Sequence, residues 1–254
     1  MFAAGISSAL AYEPARGGAE LPNLNVNATA QDEDGFVWIA TSNGLCKSLG
    51  NEYDIYFGDS DDLQTVTSNH ILNLYVDSDG WLMVATSRGI SGLEKGTRIF
   101  HRYTFENMDG AEICSYGFVE FAGELLCYGS SGIYAVNKDE GIMRLRYLVE
   151  GSSVTNAIKD DNGRLWLAAG HDLLALDSAY RTCDRLSLDN SYIIKSIAYS
   201  GDRFVLGTNQ GLLFFNPSTR MVSRAACKHG GEPHTSCGRR NYAPFHHKQW
   251  CAGL

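Results

Sequence analysis

The amino-acid sequence predicts an all-β fold, a β-propeller of about five four-stranded blades. The main observation is a short segment that recurs five times, each time starting at an anchor residue in a turn. The anchors are Gly35, Gly80, Gly123, Gly163 and Asp202. In each copy an apolar strand follows the anchor, and a second turn residue stands nine positions after it. A repeat of about 40 residues that is built from strands and turns is typical of propeller blades.

The second copy shows how one blade is predicted. Four successive segments have the apolar or alternating pattern of a strand. These segments are 71–76, 81–86, 90–95 and 97–103. Asp77, Asp79 and Gly80 form the first turn, because Asp accepts hydrogen bonds from nearby backbone N–H groups and Gly adopts positive φ. The segment therefore predicts a complete four-stranded blade.

The other copies follow the same order of strands and turns, although some lack part of the turn motif. The strands predicted for the first and fourth copies are 26–31, 36–41, 155–159, 165–169 and 173–177. The third and fifth copies lack the acidic turn, but they keep the second turn residue as Gly132 and Gly211. One equivalent position is apolar in all five copies and is predicted to fill the space between blades. Its residues are Trp38, Met83, Leu126, Trp166 and Val205.

The number of blades bears on whether the propeller ring closes. Residues 15–25 can supply an outer strand of the kind that closes a propeller. Five blades nevertheless favour an open or strained ring with an exposed edge and a tendency to aggregate. A closed five-bladed ring is the alternative.

Charge and hydropathy exclude two classes of partner. The 254 residues carry a formal net charge of −8. Residues 226–254 hold four Lys or Arg and one Glu, a net +3, which leaves −11 on residues 1–225. An acidic body does not suit nucleic-acid binding. No stretch approaches the roughly 18 apolar residues that span a bilayer, so no membrane insertion is predicted.

Residues able to bind metal or do chemistry are sparse. Asp32 with Asp34, and Asp77 with Asp79, resemble calcium-loop spacing, but no bidentate Glu or flanking helix accompanies them, so a turn-stabilising role is preferred. We therefore predict no metal site, no cofactor and no catalytic residue, and the ligand-binding residues are unknown from the sequence. The body has three histidines that are not expected to converge, His70, His101 and His171. Four cysteines in or beside strands are expected to be free and buried: Cys46, Cys114, Cys127 and Cys183.

The two ends of the chain differ from the repeats. Residues 1–19 are predicted to be a flexible N-terminus and the remnant of a secretion signal, because Ala9-Leu10-Ala11 fits the small-x-small cleavage pattern. Residues 20–225 hold the blades. Residues 226–254 form an irregular Cys/His-rich segment. We favour translation out of frame for it, with a disordered natural tail or a zinc site as alternatives. The zinc site would use Cys227, His234, Cys237 and Cys251.

The repeats resemble a known family. Residues 31–45 combine an Asp-Gly turn, a Trp-apolar-Ala-Thr strand and a second Gly turn, and residues 68–90 and 160–169 repeat much of this pattern. This pattern is similar to the two-component regulator propeller repeat, over about residues 20–225. The resemblance implies the periplasmic sensor region of a hybrid two-component histidine kinase of the Bacteroidetes type.

That resemblance also implies a function. It implies a non-catalytic sensor, exported and anchored through its parent protein, that binds a small-molecule ligand of the glycan oligosaccharide class and forms a homodimer as in the family. Kinase and phosphorelay activity would belong to domains outside this chain. Two alternatives from other classes are a propeller lyase or hydrolase, as in streptogramin lyases, and a stand-alone protein-binding scaffold. A lyase needs His and acidic groups that converge at the central funnel.

Overall fold

The computed structural model of the chain describes residues 15–17, 20–106 and 113–225. Within these ranges the chain forms five mainly antiparallel sheets and no helix. Each sheet contains one copy of the sequence repeat, and the sheets follow one another in chain order. The predicted all-β propeller of about five blades is confirmed. No segment of the described residues forms a helix that could span a membrane.

Each blade is a meander in which four consecutive strands pair with their neighbours. The first blade contains β2 (Val26–Gln31), β3 (Val37–Thr41), β4 (Gly44–Ser48) and β5 (Tyr53–Tyr56), preceded by β1 (Ala15–Gly17). The second contains β6 (Ile71–Val76), β7 (Leu82–Thr86), β8 (Gly89–Leu93) and β9 (Phe100–Arg102). The third contains β11 (Ser115–Phe121), β12 (Glu124–Gly129), β13 (Gly132–Asn137) and β14 (Ile142–Leu148), preceded by β10 (Thr104–Phe105). The fourth contains β15 (Val154–Lys159), β16 (Leu165–Ala169), β17 (Asp172–Leu176) and β18 (Thr182–Ser187). The fifth contains β19 (Ile194–Ser200), β20 (Arg203–Thr208), β21 (Gly211–Asn216) and β22 (Met221–Arg224).

Two blades have five strands rather than the predicted four. Strand β1 adds to the outer edge of the first sheet, antiparallel to β5, and β10 adds to the outer edge of the third sheet, parallel to β14. An outer strand carries a row of unpaired backbone N–H and C=O groups, and a passing segment can satisfy them. The outer strand expected from residues 15–25 is therefore formed by Ala15–Gly17, within the first sheet.

Two predicted strands of the second blade have different bounds in the structure. The third strand of the second blade was expected over 90–95, but it ends at Leu93. Gly96 has a φ of 78° and Thr97 donates its backbone N–H to the carbonyl of Glu94 at 3.1 Å, so these residues form a turn. The outer strand is shortened accordingly to Phe100–Arg102.

The first acidic residue of each Asp-Gly turn holds that turn together. Asp160 accepts hydrogen bonds from the backbone N–H groups of Asn162 and Arg164, and from Nε1 of Trp166 at 2.8 Å. Asp32 likewise accepts the backbone N–H of Phe36 and Nε1 of Trp38. The carboxylates are thus occupied by protein donors, which supports the turn-stabilising interpretation over a calcium loop.

The copies without an acidic turn use tighter hairpins. Ala122 and Gly123 both have positive φ, 52° and 80°, in the two-residue turn between β11 and β12. This is the backbone that a two-residue hairpin requires. The loss of the Asp in the third copy is therefore compensated by turn geometry.

The threonine of the repeat stabilises the second turn. Thr86 donates its hydroxyl to the carbonyl of Gly89 at 3.0 Å and accepts the backbone N–H of Arg88 at 3.1 Å. Thr41 and Thr208 make the same pair of bonds in the first and fifth blades. The recurrence of Thr three positions before Gly has this structural cause.

Each blade packs on the next through one face of its sheet, which we call the forward face. The predicted position between blades is confirmed for four copies, since Trp38, Met83, Leu126 and Trp166 are at most 3% exposed. A second forward-face position is fully buried in the same four blades and 51% exposed in the fifth. Its residues are Leu45, Ile90, Ile133, Leu173 and, in the fifth blade, Leu212.

The inner strands are also linked from blade to blade. The amide of Asn27 donates to the carbonyl of Ile71 at 2.7 Å, that of Asn73 donates to the carbonyl of Tyr116, and Thr155 donates to that of Ile194. Each of these bonds reaches from one blade to the blade that follows. Blade order is thus fixed by polar contacts as well as by apolar packing.

Among the described residues, the ring is open between its first and last blades. Extensive packing joins each blade to the next, and no comparable packing joins the described strands of the fifth blade to those of the first. The forward face of the fifth blade is left exposed at Leu212, which is 51% exposed, and Met221 on the outer strand β22 is 62% exposed. This agrees with the expected open ring. The two chain ends, 1–14 and 226–254, lie outside the described residues. The predictions made for them, which are the signal cleavage pattern, the out-of-frame segment and the alternative zinc site, therefore lie outside the described residues as well.

Cysteine burial differs from the prediction in part. Cys46 and Cys127 are buried and free, as expected. Burial raises the pKa of the Cys127 thiol to about 12. Cys114 is half-buried, however, and Cys183 is exposed. Cys183 lies on a part of the outer strand β18 that the neighbouring blade does not cover, although Leu186 on the same strand is buried.

Candidate functional site

One edge of the propeller gathers the irregular segments, and we call it the connection face. In a four-stranded meander the turn between the second and third strands lies at the same edge as the connection from one blade to the next. Backbone bonds tie the two together. The N–H groups of Ser87, Ser130 and Asn209 donate to carbonyls of the preceding connections at 3.0 to 3.2 Å. Loops held on a rigid scaffold are common sites of binding.

One side chain reaches several backbone carbonyls of the connection between the first and second blades. Arg102, from β9, donates Nε to the carbonyl of Thr65 at 2.9 Å and Nη2 to the carbonyls of Asp59, Asp62 and Val66. Burial lowers the pKa of this guanidinium, and the nearby Asp62 and Asp59 oppose that effect. The guanidinium of Arg102 therefore joins four residues of the connection, in addition to the hydrogen bonds that the side chains of Thr65 and Asn69 make there.

Replacing Arg102 by Gln is expected to loosen residues 59–66. Gln cannot supply the donors that now satisfy four backbone carbonyls, so local opening becomes easier. Amide hydrogen exchange in this segment should accelerate by about tenfold. His101→Gln, one residue earlier on the exposed side of the same strand, is the matched control. Equal exchange in both variants would contradict the assignment.

A cleft of about 770 Å³ opens on the connection face between the third and fourth blades. Its volume lies in the range of small-molecule sites. Most of its polar groups are hydroxyls. The lining residues that bear them are Ser130, Ser131, Ser152, Ser153 and Thr155.

The close approach of two segments shapes the floor of the cleft. Gly170 has a φ of 61°, and a Cβ placed there would lie 2.8 Å from Oγ of Ser152. Both observations favour glycine at this point. The carbonyl of Gly170 accepts the backbone N–H of Ile194 at 2.7 Å, which anchors the next connection beside it.

The cleft also has apolar walls and one charge. Leu148 and Ile193 are 52% and 48% exposed, although both are large aliphatic residues. Glu150 is exposed and is the one ionisable side chain among the described residues that line the cleft. Hydroxyls and aliphatic surface side by side suit a ligand with both hydroxyl groups and C–H faces.

A second cleft, of about 610 Å³, lies on the opposite edge between the second and third blades. It is rich in charge, but its charges neutralise one another. Lys138 lies 2.7 Å from Asp77 and 2.5 Å from Asp79, and Arg146 lies 2.5 Å from Glu124. A charged ligand would have to break these ion pairs. We therefore take the connection-face cleft as the candidate site.

The three histidines lie in separate places, as the sequence indicated. His70 precedes β6 in the first connection, and His171 lies in a turn of the fourth blade with Nε2 3.8 Å from Oδ1 of Asp172. His101 is on β9, with its ring 5.4 Å from that of Trp81. None of them lines the candidate cleft. Among the described residues, no group of three His, Cys, Asp or Glu side chains is arranged to hold a metal ion.

The sequence did not identify the residues of the cleft. Apart from Gly170 and Ile193, they lie in two segments without strong pattern, 130–131 and 148–155, and what distinguishes these segments is the doubled serine in each. Serine pairs are common in turns, so this signal becomes meaningful only once two blades bring the segments together.

Comparison with known proteins supports the repeat and the fold. The family model described as two component regulator propeller matches residues 20–43. No curated protein matches the chain. The extracellular domain of a hybrid two component system from B. thetaiotaomicron superposes with a TM-score of 0.68 at 21% identity, over 80% of this chain and 30% of that one. This chain therefore spans about 30% of the length of that structure.

An enzyme has a similar fold. Virginiamycin B lyase from Staphylococcus aureus superposes with a TM-score of 0.63 at 16% identity, over 85% of this chain and 74% of that one. At such identities the likeness shows the propeller fold and not the activity. The choice between a sensing and a catalytic function therefore rests on the residues that line the candidate site.

Proposed function

We propose that this chain, which carries a two component regulator propeller repeat, is a sensing propeller that binds an oligosaccharide without chemical change. The connection-face cleft between the third and fourth blades is the proposed site. In this proposal the domain is exported to the periplasm, and its parent protein passes the signal across the inner membrane. The single observation that carries the proposal is the hydroxyl-lined cleft on a propeller with the sensor repeat.

The chemistry of the cleft supports a sugar-like ligand. Serine and threonine hydroxyls both donate and accept hydrogen bonds, as the hydroxyls of a sugar do. Leu148 and Ile193 offer aliphatic surface to the C–H faces of a sugar ring. Polar groups fix orientation in such sites while apolar surface adds affinity.

The cleft supports binding more than catalysis. A general acid–base pair needs two titratable groups within hydrogen-bond reach of the reacting atoms. Among the described lining residues, Glu150 stands without a His, Lys, Tyr or second carboxylate. The lyase alternative therefore has no observation of its own beyond the shared fold.

Binding should be tested by calorimetric titration of the full chain with a panel of oligosaccharides. Ser131→Trp fills the cleft and should weaken binding by about tenfold or more. Asn43→Trp is the matched control, because Asn43 is exposed and occupies the same turn position in the first blade. Absence of binding to every member of the panel, or equal binding by the two variants, would refute the site. Turnover of a ligand would refute the non-catalytic assignment.

A further inference from the structure

We propose that the connection-face cleft selects oligosaccharides that carry a free amine, through the carboxylate of Glu150 set among the serine hydroxyls. This inference rests on the proposed function and names the ligand class of the same site. It concerns the charge of the ligand, which hydroxyl lining alone does not determine.

The charge of the lining is unbalanced. The described lining residues comprise hydroxyl, aliphatic and glycine residues together with Glu150. Among the described residues, no Lys, Arg or His lines the cleft. His171, the residue after Gly170, is placed beside Asp172 instead. The described lining therefore offers a ligand one negative charge and no positive one.

Several carboxylates near the blade surfaces are held by a cation of the protein, whereas Glu150 is not. Glu124 is held by Arg146, Asp172 by Arg185, and Glu106 by Arg144, all at 2.5 to 3.1 Å. Among the described residues, Glu150 takes part in no ion pair and no side-chain hydrogen bond. A carboxylate that is not engaged by the protein is available to a ligand cation.

The opposite edge provides an internal comparison. There, Asp77 and Asp79 share Lys138, and Glu124 is paired with Arg146. Among the described lining residues of the connection-face cleft, no cation is available to pair with Glu150 in this way.

The chemistry of an amino sugar fits this arrangement. Its ring hydroxyls can exchange hydrogen bonds with Ser130, Ser131 and Ser152, while its ammonium group donates to Glu150. Sugars with carboxylate or sulfate groups would be repelled by Glu150, and the net charge of −11 on residues 1–225 adds to the repulsion. Neutral sugars would bind with an affinity between those of the amino sugars and the anionic sugars.

The expected selectivity is moderate because Glu150 is exposed to water. Exposed ion pairs are weak, while a hydrogen bond between two charged groups is stronger than a neutral one. We expect glucosamine oligomers to bind about three- to tenfold more tightly than their N-acetylated counterparts at low salt. Raising the ionic strength should reduce this ratio.

The test is a calorimetric titration of the full chain with four oligomers of equal length. They are the β-1,4 oligomers of glucosamine, N-acetylglucosamine and glucose, and an oligogalacturonate. Glu150→Gln, which keeps the shape and removes the charge, is titrated with the same set, and Glu52→Gln on the first blade is the control. The expected result is that Glu150→Gln removes the preference for the amine while Glu52→Gln retains it.

The outcomes separate this inference from the proposed function. If no oligomer binds, the proposed function fails. If neutral or anionic oligomers bind the cleft as well as the amine does, or if Glu150→Gln retains the preference, the inference alone is overturned. If the amine preference vanishes equally in the Glu52→Gln control, it arises from overall charge and the role of Glu150 is overturned.

Discussion

Replacing Leu173 by alanine is expected to lower the free energy of unfolding by about 2–5 kcal/mol, whereas Leu212→Ala should lower it by less than about 1 kcal/mol. The two leucines occupy the same position in consecutive blades. Leu173 is fully buried between the fourth and fifth blades, and Leu212 is 51% exposed on the forward face of the fifth. Only the first substitution leaves a cavity.

Urea denaturation followed by tryptophan fluorescence would measure both values. Trp166 lies in the same cluster as Leu173, which makes the signal sensitive to this interface. Leu45→Ala, at the equivalent buried position of the first blade, should behave like Leu173→Ala. Equal losses for Leu173→Ala and Leu212→Ala would show that the forward face of the fifth blade is covered.

Replacing Asp160 by Asn should cost about 2–4 kcal/mol. The side chain of Asp160 is buried and accepts the backbone N–H groups of Asn162 and Arg164, Nε of Arg164 and Nε1 of Trp166. Asn retains one oxygen for the backbone bonds, but its NH₂ group faces the donors of Arg164 and Trp166. Asp161→Asn, on the adjacent exposed residue, is the control and should change stability little.

The same variant should alter how stability depends on pH. Burial acts to raise the pKa of Asp160, but the hydrogen bonds from Trp166 and Arg164 hold this pKa below its ordinary value of 3.8. A carboxyl with a lowered folded-state pKa contributes stability above its unfolded-state pKa and loses that contribution as the pH falls through the folded-state value. Wild type should therefore lose stability below about pH 4, and Asp160→Asn should lose less. Parallel pH profiles for the two proteins would contradict this assignment.

The fold was largely predictable because the repeat encodes it locally. The Asp-Gly turn, the apolar strand and the Thr-x-x-Gly turn each have a short-range physical cause, and hydrogen bonds of Asp160 and Thr86 confirm two of those causes. An outer strand was expected from residues 15–25, where β1 is found, but β10 was not predicted, because edge pairing depends on which segment passes the outer strand.

The candidate site was much less predictable. Ser130 and Ser152 stand 22 positions apart and belong to different blades, and neither segment has a distinctive pattern. What makes them a cleft is the approach of the connection to Gly170, which requires the packed structure. The separation of the three histidines was easier to predict, since His70, His101 and His171 occupy different parts of their blades.

The hydrogen bonds that each inner strand makes to the following blade bear on how such a chain could arise by duplication. Asn27 finds its acceptor in the second blade and Asn73 finds its acceptor in the third, so each unit is completed by the unit that follows. A gene segment copied in tandem therefore supplies its predecessor with a partner and itself needs a successor. The sequence of one repeat therefore does not determine the number of repeats, which depends on the array as a whole.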